Sequence, residues 1–340
     1  MKKIFAILLA LCLMLSLCAC GTTKPEQNDT DITTTAPTTI PTTDPTTTPN
    51  TDPEDGDTIS PLLYKVTDTE GNTTWLFGSI HVGQDCFYPL PTYVTDAYEN
   101  SDALAVEADM VTFNADLEAQ TQALMNLIYL DGTTIKDHIP EDLYTKAVDA
   151  LTQCGIYTSA FDMYYPVMWS NLLEASQLQS LDVDSELGID MHFLNDAHNT
   201  GKEIQEVESA DFQYGLMSGF SEALQIELLE SALHTYENID ELETDLFELM
   251  DAWATGDADT LVTLLNEEPE YENDEEAQLY ADYTDAMITQ RNITMADFAE
   301  SALDSGKEVF ICVGAAHIVG PGAMADLLTQ RGYTVELVEG

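Results

Sequence analysis

Positive charge is what this chain has least of. Its 340 residues carry 10 Lys and Arg against 62 Asp and Glu, a formal net charge of −52. That balance excludes a protein that tracks nucleic-acid phosphates, which needs clustered Lys and Arg to displace counterions. It also argues against a polybasic grip on anionic lipid. High solubility and adaptation to high salt are the plain readings of the acid excess. Paired zinc-binding cysteines are missing too: none of the six cysteines stands in a Cys-x-x-Cys spacing. There is no His-Glu-x-x-His, so a zincin with both histidines on one helix face is excluded. The longest apolar run, Ile4 to Leu17, is about fourteen residues and short for a mature transmembrane helix.

That run follows Met1-Lys2-Lys3 and ends in Leu17-Cys18-Ala19-Cys20-Gly21. A positive start and a short apolar stretch read as a signal peptide over residues 1–19. Leu, a tolerated residue, a small residue and Cys resemble the lipobox of bacterial lipoproteins. The resemblance implies cleavage before Cys20 and a diacylglycerol on its thiol. Two acyl chains would hold the protein durably on the outer face of the cell membrane. An ordinary secretory signal that happens to contain cysteines is the alternative. Residues 20–58 are dominated by Thr, Pro and Asp, with almost no aliphatics. Such a segment cannot bury enough surface to offset its ordering entropy, so it reads as a semi-stiff tether. Cys86, Cys154 and Cys312 remain for the folded part. They read as buried thiols, with a single disulfide as the alternative.

Residues 59–340 read as one α/β domain: a central mixed sheet, flanking helices and an inserted helical layer. Leu62–Val66 and Thr74–Gly78 flank turn residues and predict a β-hairpin. Ala103–Val106, Glu203–Val207, Val309–Val313 and Tyr333–Val338 predict further strands. Val309–Val313 is apolar throughout and predicts a central strand buried on both faces. Helical spacing predicts helices at Val94–Asn100, Asn114–Leu130, from Glu141, from Tyr165-Pro166, and over Ile189–Ala197. Longer helical patterns run from Ser221 to Ala254 and from Glu276 to Leu303, and a last helix over Pro321–Gln330.

One pattern occurs twice. Gly78-Ser79-Ile80-His81 and Gly314-Ala315-Ala316-His317 each close a predicted strand. Ligands of α/β sheets sit at the carboxyl ends of strands, where a Gly permits a tight turn and a His three residues on can project into the crevice. His138, His192, His198 and His234 follow no such pattern and read as surface or ordinary core positions. Trp75, Trp169 and Trp253 read as packing.

With these motifs and others along it, the chain from Leu62 to Val338 resembles the TraB/GumN family, which includes pheromone-shutdown proteins and TIKI proteases. The matching features are Leu-Phe-Gly-Ser-Ile-His81, Phe87-Tyr88-Pro89-Leu90-Pro91 and Ala105-Val106-Glu107-Ala108-Asp109. Glu186-Leu187-Gly188-Ile189-Asp190 and Val207-Glu208-Ser209 follow, then Arg291-Asn292 and Val313-Gly314-Ala315-Ala316-His317. Two positions depart from the pattern: Glu203 stands where Pro is usual, and Val-Glu-Ser replaces Leu-Glu-Thr.

The resemblance implies a metal-dependent hydrolase acting on peptides. It implies a divalent ion of manganese or cobalt type, zinc being possible, held by His81, Glu107, His317 and Glu208. Imidazole with carboxylate suits first-row divalent ions on chemical grounds as well. Glu107 or Glu208 is the expected general base. Arg291, one of only two arginines, is expected either to bind a substrate carboxylate or oxyanion, or to orient the glutamates through an ion pair. The expected partner is a peptide or protein substrate, with cationic peptides favoured by charge. A non-catalytic protein that sequesters a signalling peptide or metal-bearing ligand is the alternative.

Overall fold

The computed structural model describes residues 59–338 apart from 268, 270 and 272. The expected signal peptide, the Cys20 lipidation site and the tether lie outside the described residues. Strands β1 (Leu63–Thr67) and β2 (Thr73–Ser79) pair antiparallel as the expected hairpin. Helix α1 (Thr92–Asn100) feeds β3 (Ala103–Val106). Helices α2 (Met110–Ala115), α3 (Leu117–Met125), α4 (Glu141–Gln153), α5 (Pro166–Leu178) and α6 (Ile189–Thr200) precede β4 (Glu203–Glu206). Helices α7 (Ala210–Ser218), α8 (Glu222–Glu237), α9 (Ile239–Thr255), α10 (Ala258–Asn266), α11 (Asp274–Thr284) and α12 (Gln290–Ser305) separate β4 from β5 (Val309–Gly314). A π-helical segment, Asp285–Thr289, joins α11 to α12. The chain ends with α13 (Ala315–Ile318), α14 (Met324–Gln330) and β6 (Thr334–Leu337).

The six strands form one mixed sheet in the order β4-β3-β5-β2-β1-β6. The four strands β4, β3, β5 and β2 run parallel, so their carboxyl ends share one edge. Every residue of β5 is buried, as its unbroken apolar run demands. Its Phe310 packs against Phe77 of β2 and Phe193 of α6 at ring separations of 5.6 and 5.0 Å. A separate apolar cluster joins α4, α5 and α8 around Trp169, Leu173 and Leu229. This is the inserted helical layer, and it has a core of its own.

Several helix boundaries differ from the spacing-based expectation. The helix expected over Asn114–Leu130 is two, α2 and α3. Asp116 breaks it, its carboxylate accepting the Glu118 and Ala119 N–H groups as an N-cap. Leu117, one of the apolar residues at helical spacing in that stretch, is 75% exposed. The pattern from Ser221 to Ala254 is likewise two helices, divided at Asn238, which leaves helical geometry at φ −128° and ψ 47°. The helix expected from Pro321 starts at Met324. Cys312 is buried, but Cys86 is exposed and Cys154 half-buried, and all three are free thiols.

Candidate active site at the carboxyl edge of the sheet

Each of the four parallel strands delivers one of the expected residues to the same edge. His81 follows β2, Glu107 follows β3, Glu208 follows β4 and His317 follows β5. The glycines of the doubled motif are there for close approach. A Cβ on Gly78 would lie 2.9 Å from Ala315 Cα, in the second copy of the motif. A Cβ on Gly314 would stand 3.2 Å from Glu107 Oε1, 3.6 Å from His81 Nε2 and 3.7 Å from His317 Cδ2. The bare glycine therefore leaves a small space that the three side chains border.

Both imidazoles are anchored on the side away from that space. His81 Nδ1 donates to Asp190 Oδ2 at 3.2 Å. His317 Nδ1 donates to Asn292 Oδ1 at 2.7 Å. His317 is 1% exposed, and its Nε2 has no hydrogen-bond partner. That atom lies 4.0 Å from Glu107 Oε1, too far for a hydrogen bond. Fixing Nδ1 and presenting Nε2 is how proteins orient imidazole ligands. Asp190 is delivered by the start of α6, whose backbone is held on the His81 segment by Ile189 N–H donating to Ile80 O. The Glu-Leu-Gly-Ile-Asp motif is thus the support of the first histidine, and Asn292 is the support of the second.

Arg291 binds both glutamates. Its Nε donates to Glu208 Oε1 at 2.8 Å, and its Nη2 to Glu208 Oε2 at 2.9 Å and Glu107 Oε2 at 2.6 Å. Its Nη1 donates to Met287 O in the π-helical turn. Gln213 Nε2 bridges the same two carboxylates, 3.1 Å from each. Glu107 Oε1 is left to accept the Gly314 N–H at 2.8 Å. Glu208 thus spends both oxygens on Arg291 and Gln213, whereas Glu107 turns one oxygen to the glycine space.

Electrostatics divide the histidines. Burial pulls His81 down, but Asp190 and Glu107 outweigh it and bring its pKa up to about 9. Burial and the Arg291 charge push His317 down to about 3. Burial alone would raise Glu107; Arg291, His317 and His81 overcome it and hold the carboxyl at about 2. Beside the site, burial raises the Cys312 thiol well above its ordinary value.

Among the described residues, no group of three or more His, Cys, Asp or Glu side chains is already disposed as a metal site. The donor chemistry still fits a divalent cation. His81 Nε2, Glu107 Oε1 and the Cδ2 edge of the His317 ring border one glycine-sized space, and the buried Nε2 of His317 has no hydrogen-bond partner. A cavity of about 10 Å³ adjoins Glu107, Gly314 and His317 and is otherwise lined by apolar side chains such as Ile80, Leu249 and Trp253. That is about the space of one water molecule.

The two histidines of the doubled motif and the residues implied by the resemblance, Glu107, Glu208 and Arg291, all come together at this edge. Gln213 was not foreseen: a Gln on a helix carries no signal until its neighbours are known. His138, His192, His198 and His234 lie elsewhere. His138 stacks on Tyr129 and meets Glu222, and His192 packs against Tyr88.

Residues 62–337 match the TraB/PrgY/gumN family, and the chain belongs to it. It is similar to "Uncharacterized protein YbaP" of Escherichia coli K12, 28% identical over 74% of this chain and 86% of that protein. The protein of the same name from Shigella flexneri matches to the same extent. No solved structure matches.

Proposed function

We propose that this protein is a metal-dependent hydrolase of peptides, anchored by lipid at the outer face of the cell membrane. The observation that carries the reading is the unpartnered, buried Nε2 of His317, 4.0 Å from Glu107 Oε1, which with His81 Nε2 borders the space over Gly314. Those three side chains would hold a manganese- or cobalt-type ion, or zinc. A bound divalent cation supplies Lewis acidity and lowers the pKa of a water towards neutrality.

The chain's own residues have distinct tasks. Asp190 and Asn292 fix the two imidazole rings. Glu107, held at about 2, stays ionised beside a cation. Glu208, Arg291 and Gln213 keep Glu107 in place, so Arg291 acts through an ion pair and Glu208 as its counter-charge. The apolar walls of the small cavity restrict water to the reacting position. The anchor rests on Leu17-Cys18-Ala19-Cys20 alone. Among the described residues no helix is long and apolar enough to cross a membrane. Cys20→Ala is expected to move the protein from the membrane fraction to the soluble fraction; retention in membranes would overturn the anchor.

The test of the activity is cleavage of a mixed peptide library by full-length protein, stripped of metal and given back manganese, cobalt or zinc. Cleavage that needs metal and is abolished by His81→Ala and His317→Ala is expected. Stoichiometric metal binding without cleavage of any peptide would favour the sequestering protein instead.

A further inference from the structure

A second cavity lies beside the candidate site and has no part in holding the histidines. Its volume is about 510 Å³, within the range of ligand pockets. It takes in Ile204 and Glu206 of β4, which among the described residues ends the sheet with β3 as its one strand neighbour. Ile204 and Glu206 of β4 form one side; Phe113 and Asp116, around α2 and α3, and Asp211, in α7, form others. The groove is a solvent-open cleft that takes in residues of the edge strand β4.

Its position ties it to the chemistry. Asp109, on the groove wall, lies two residues beyond Glu107, and Glu206 lies two residues before Glu208. A chain lying along β4 would leave the groove at the carboxyl edge, where the proposed reacting position is. Four carboxylates line it, from Asp109, Asp116, Glu206 and Asp211, and no Lys or Arg does. Asp109 has one cationic neighbour when protonated, His198, with Nε2 2.9 Å from each oxygen. Asp116 uses Oδ1 as a helix cap, and Glu206 uses Oε1 to accept the Asp109 N–H. Asp211 Oδ1 accepts from Asn126 Nδ2 at 3.4 Å, so the groove's carboxylates meet neutral donors rather than Lys or Arg along its lining.

We propose that this groove binds an extended peptide bearing Lys or Arg, which adds to the free edge of β4. The proposal rests on the hydrolase reading for its destination and names the substrate class of that site. Strand addition supplies affinity through main-chain hydrogen bonds, whatever the sequence. Side chains of an extended chain alternate between faces, so every second residue would meet the carboxylates. Phe113 and Ile204 accept the aliphatic stems of those side chains while the charged ends reach the acids.

The experiment is fluorescence anisotropy of a labelled decapeptide of alternating Lys and Ala against full-length protein in EDTA, where no cleavage occurs. Saturable binding that weakens with added salt is expected. The double variant Asp116→Asn, Asp211→Asn keeps a capping side chain at residue 116 and removes two charges. It should lose about tenfold in affinity. Alternating Glu-Ala should not bind, and backbone N-methylation of the Lys-Ala peptide should abolish binding. Undiminished affinity in the double variant, equal binding of the Glu peptide, or full binding by the N-methylated peptide would each overturn the proposal. Because EDTA removes turnover, a protein that binds the Lys peptide here and cleaves nothing with metal would count against the hydrolase reading alone.

Discussion

Arg291 is 1% exposed and lies between two glutamates in a chain with one other arginine. Removing it would leave Glu107 and Glu208 buried without their counter-charge. Arg291→Ala is expected to cost about 3–5 kcal/mol in urea unfolding, as breaking a buried ion pair does. A loss below 1 kcal/mol would show that the pair is solvated. His81 supplies a second prediction. With its pKa near 9, a metal must displace its proton at neutral pH. Metal affinity should therefore rise about tenfold per pH unit from pH 7 towards pH 9, and His81→Ala should flatten that dependence. Isothermal titration in two buffers of different ionisation enthalpy reads the released proton. At this scale the sequence was legible where chemistry repeats: the two Gly-x-x-His motifs locate both histidines. Which glutamate faces the site was not legible, because it depends on where Arg291 and Gln213 fall in three dimensions.

At the scale of elements, the π-helical turn Asp285–Thr289 sets Arg291. The Gln290 N–H bonds back to Asp285 O, five residues earlier, and Met287 O receives Arg291 Nη1. One extra residue in this turn shifts every later side chain around the helix by about 100°. Deleting the exposed Thr289 is expected to convert the turn to α-helix and rotate Arg291 off the glutamates. The proposed metal-dependent activity would fall with little loss of helical circular dichroism; an activity that the deletion leaves unchanged would contradict this assignment. The same scale explains the middle motif. A Cβ on Gly83 would collide with Leu187 O, where Gly83 and Asp184 pair as an isolated bridge. Gly83→Ala should destabilise by about 1–3 kcal/mol through the forced shift of backbone. Strand positions were legible because β5 and the hairpin are apolar and bounded by turn residues. Helix breaks at Asp116 and Asn238 were not, because apolar spacing runs on across them while a local cap or dihedral ends the helix.

For the whole molecule, the sheet order brings residues far apart in sequence to one edge, and their linked protons set the pH range of stability. Glu107 at about 2 and His317 at about 3 are both below their ordinary values. Each contributes stability above its unfolded pKa that is lost as pH falls, His317 from about pH 6.5 and Glu107 from about pH 4.5. His81 at about 9 is raised, so its contribution is full below about pH 6.5 and is lost as pH rises through 9. Denaturant midpoints of the metal-free protein should therefore decline on both sides of a maximum near neutrality. His317→Ala should reduce the decline between pH 6.5 and 3. A monotonic profile from pH 3 to pH 10 would contradict these linked shifts. The fold class was legible from alternating strands and helices, whereas the order β4-β3-β5-β2 that builds the site was not, since no local pattern encodes which strands become neighbours.

The central claim is that His81, His317 and Glu107 hold one divalent ion. Titrating metal-free protein with cobalt, followed by its visible absorption bands, tests that most directly. One equivalent bound by wild type, with the bands lost in both His81→Ala and His317→Ala, is the predicted result. No band in wild type, or unchanged bands in both variants, would contradict it.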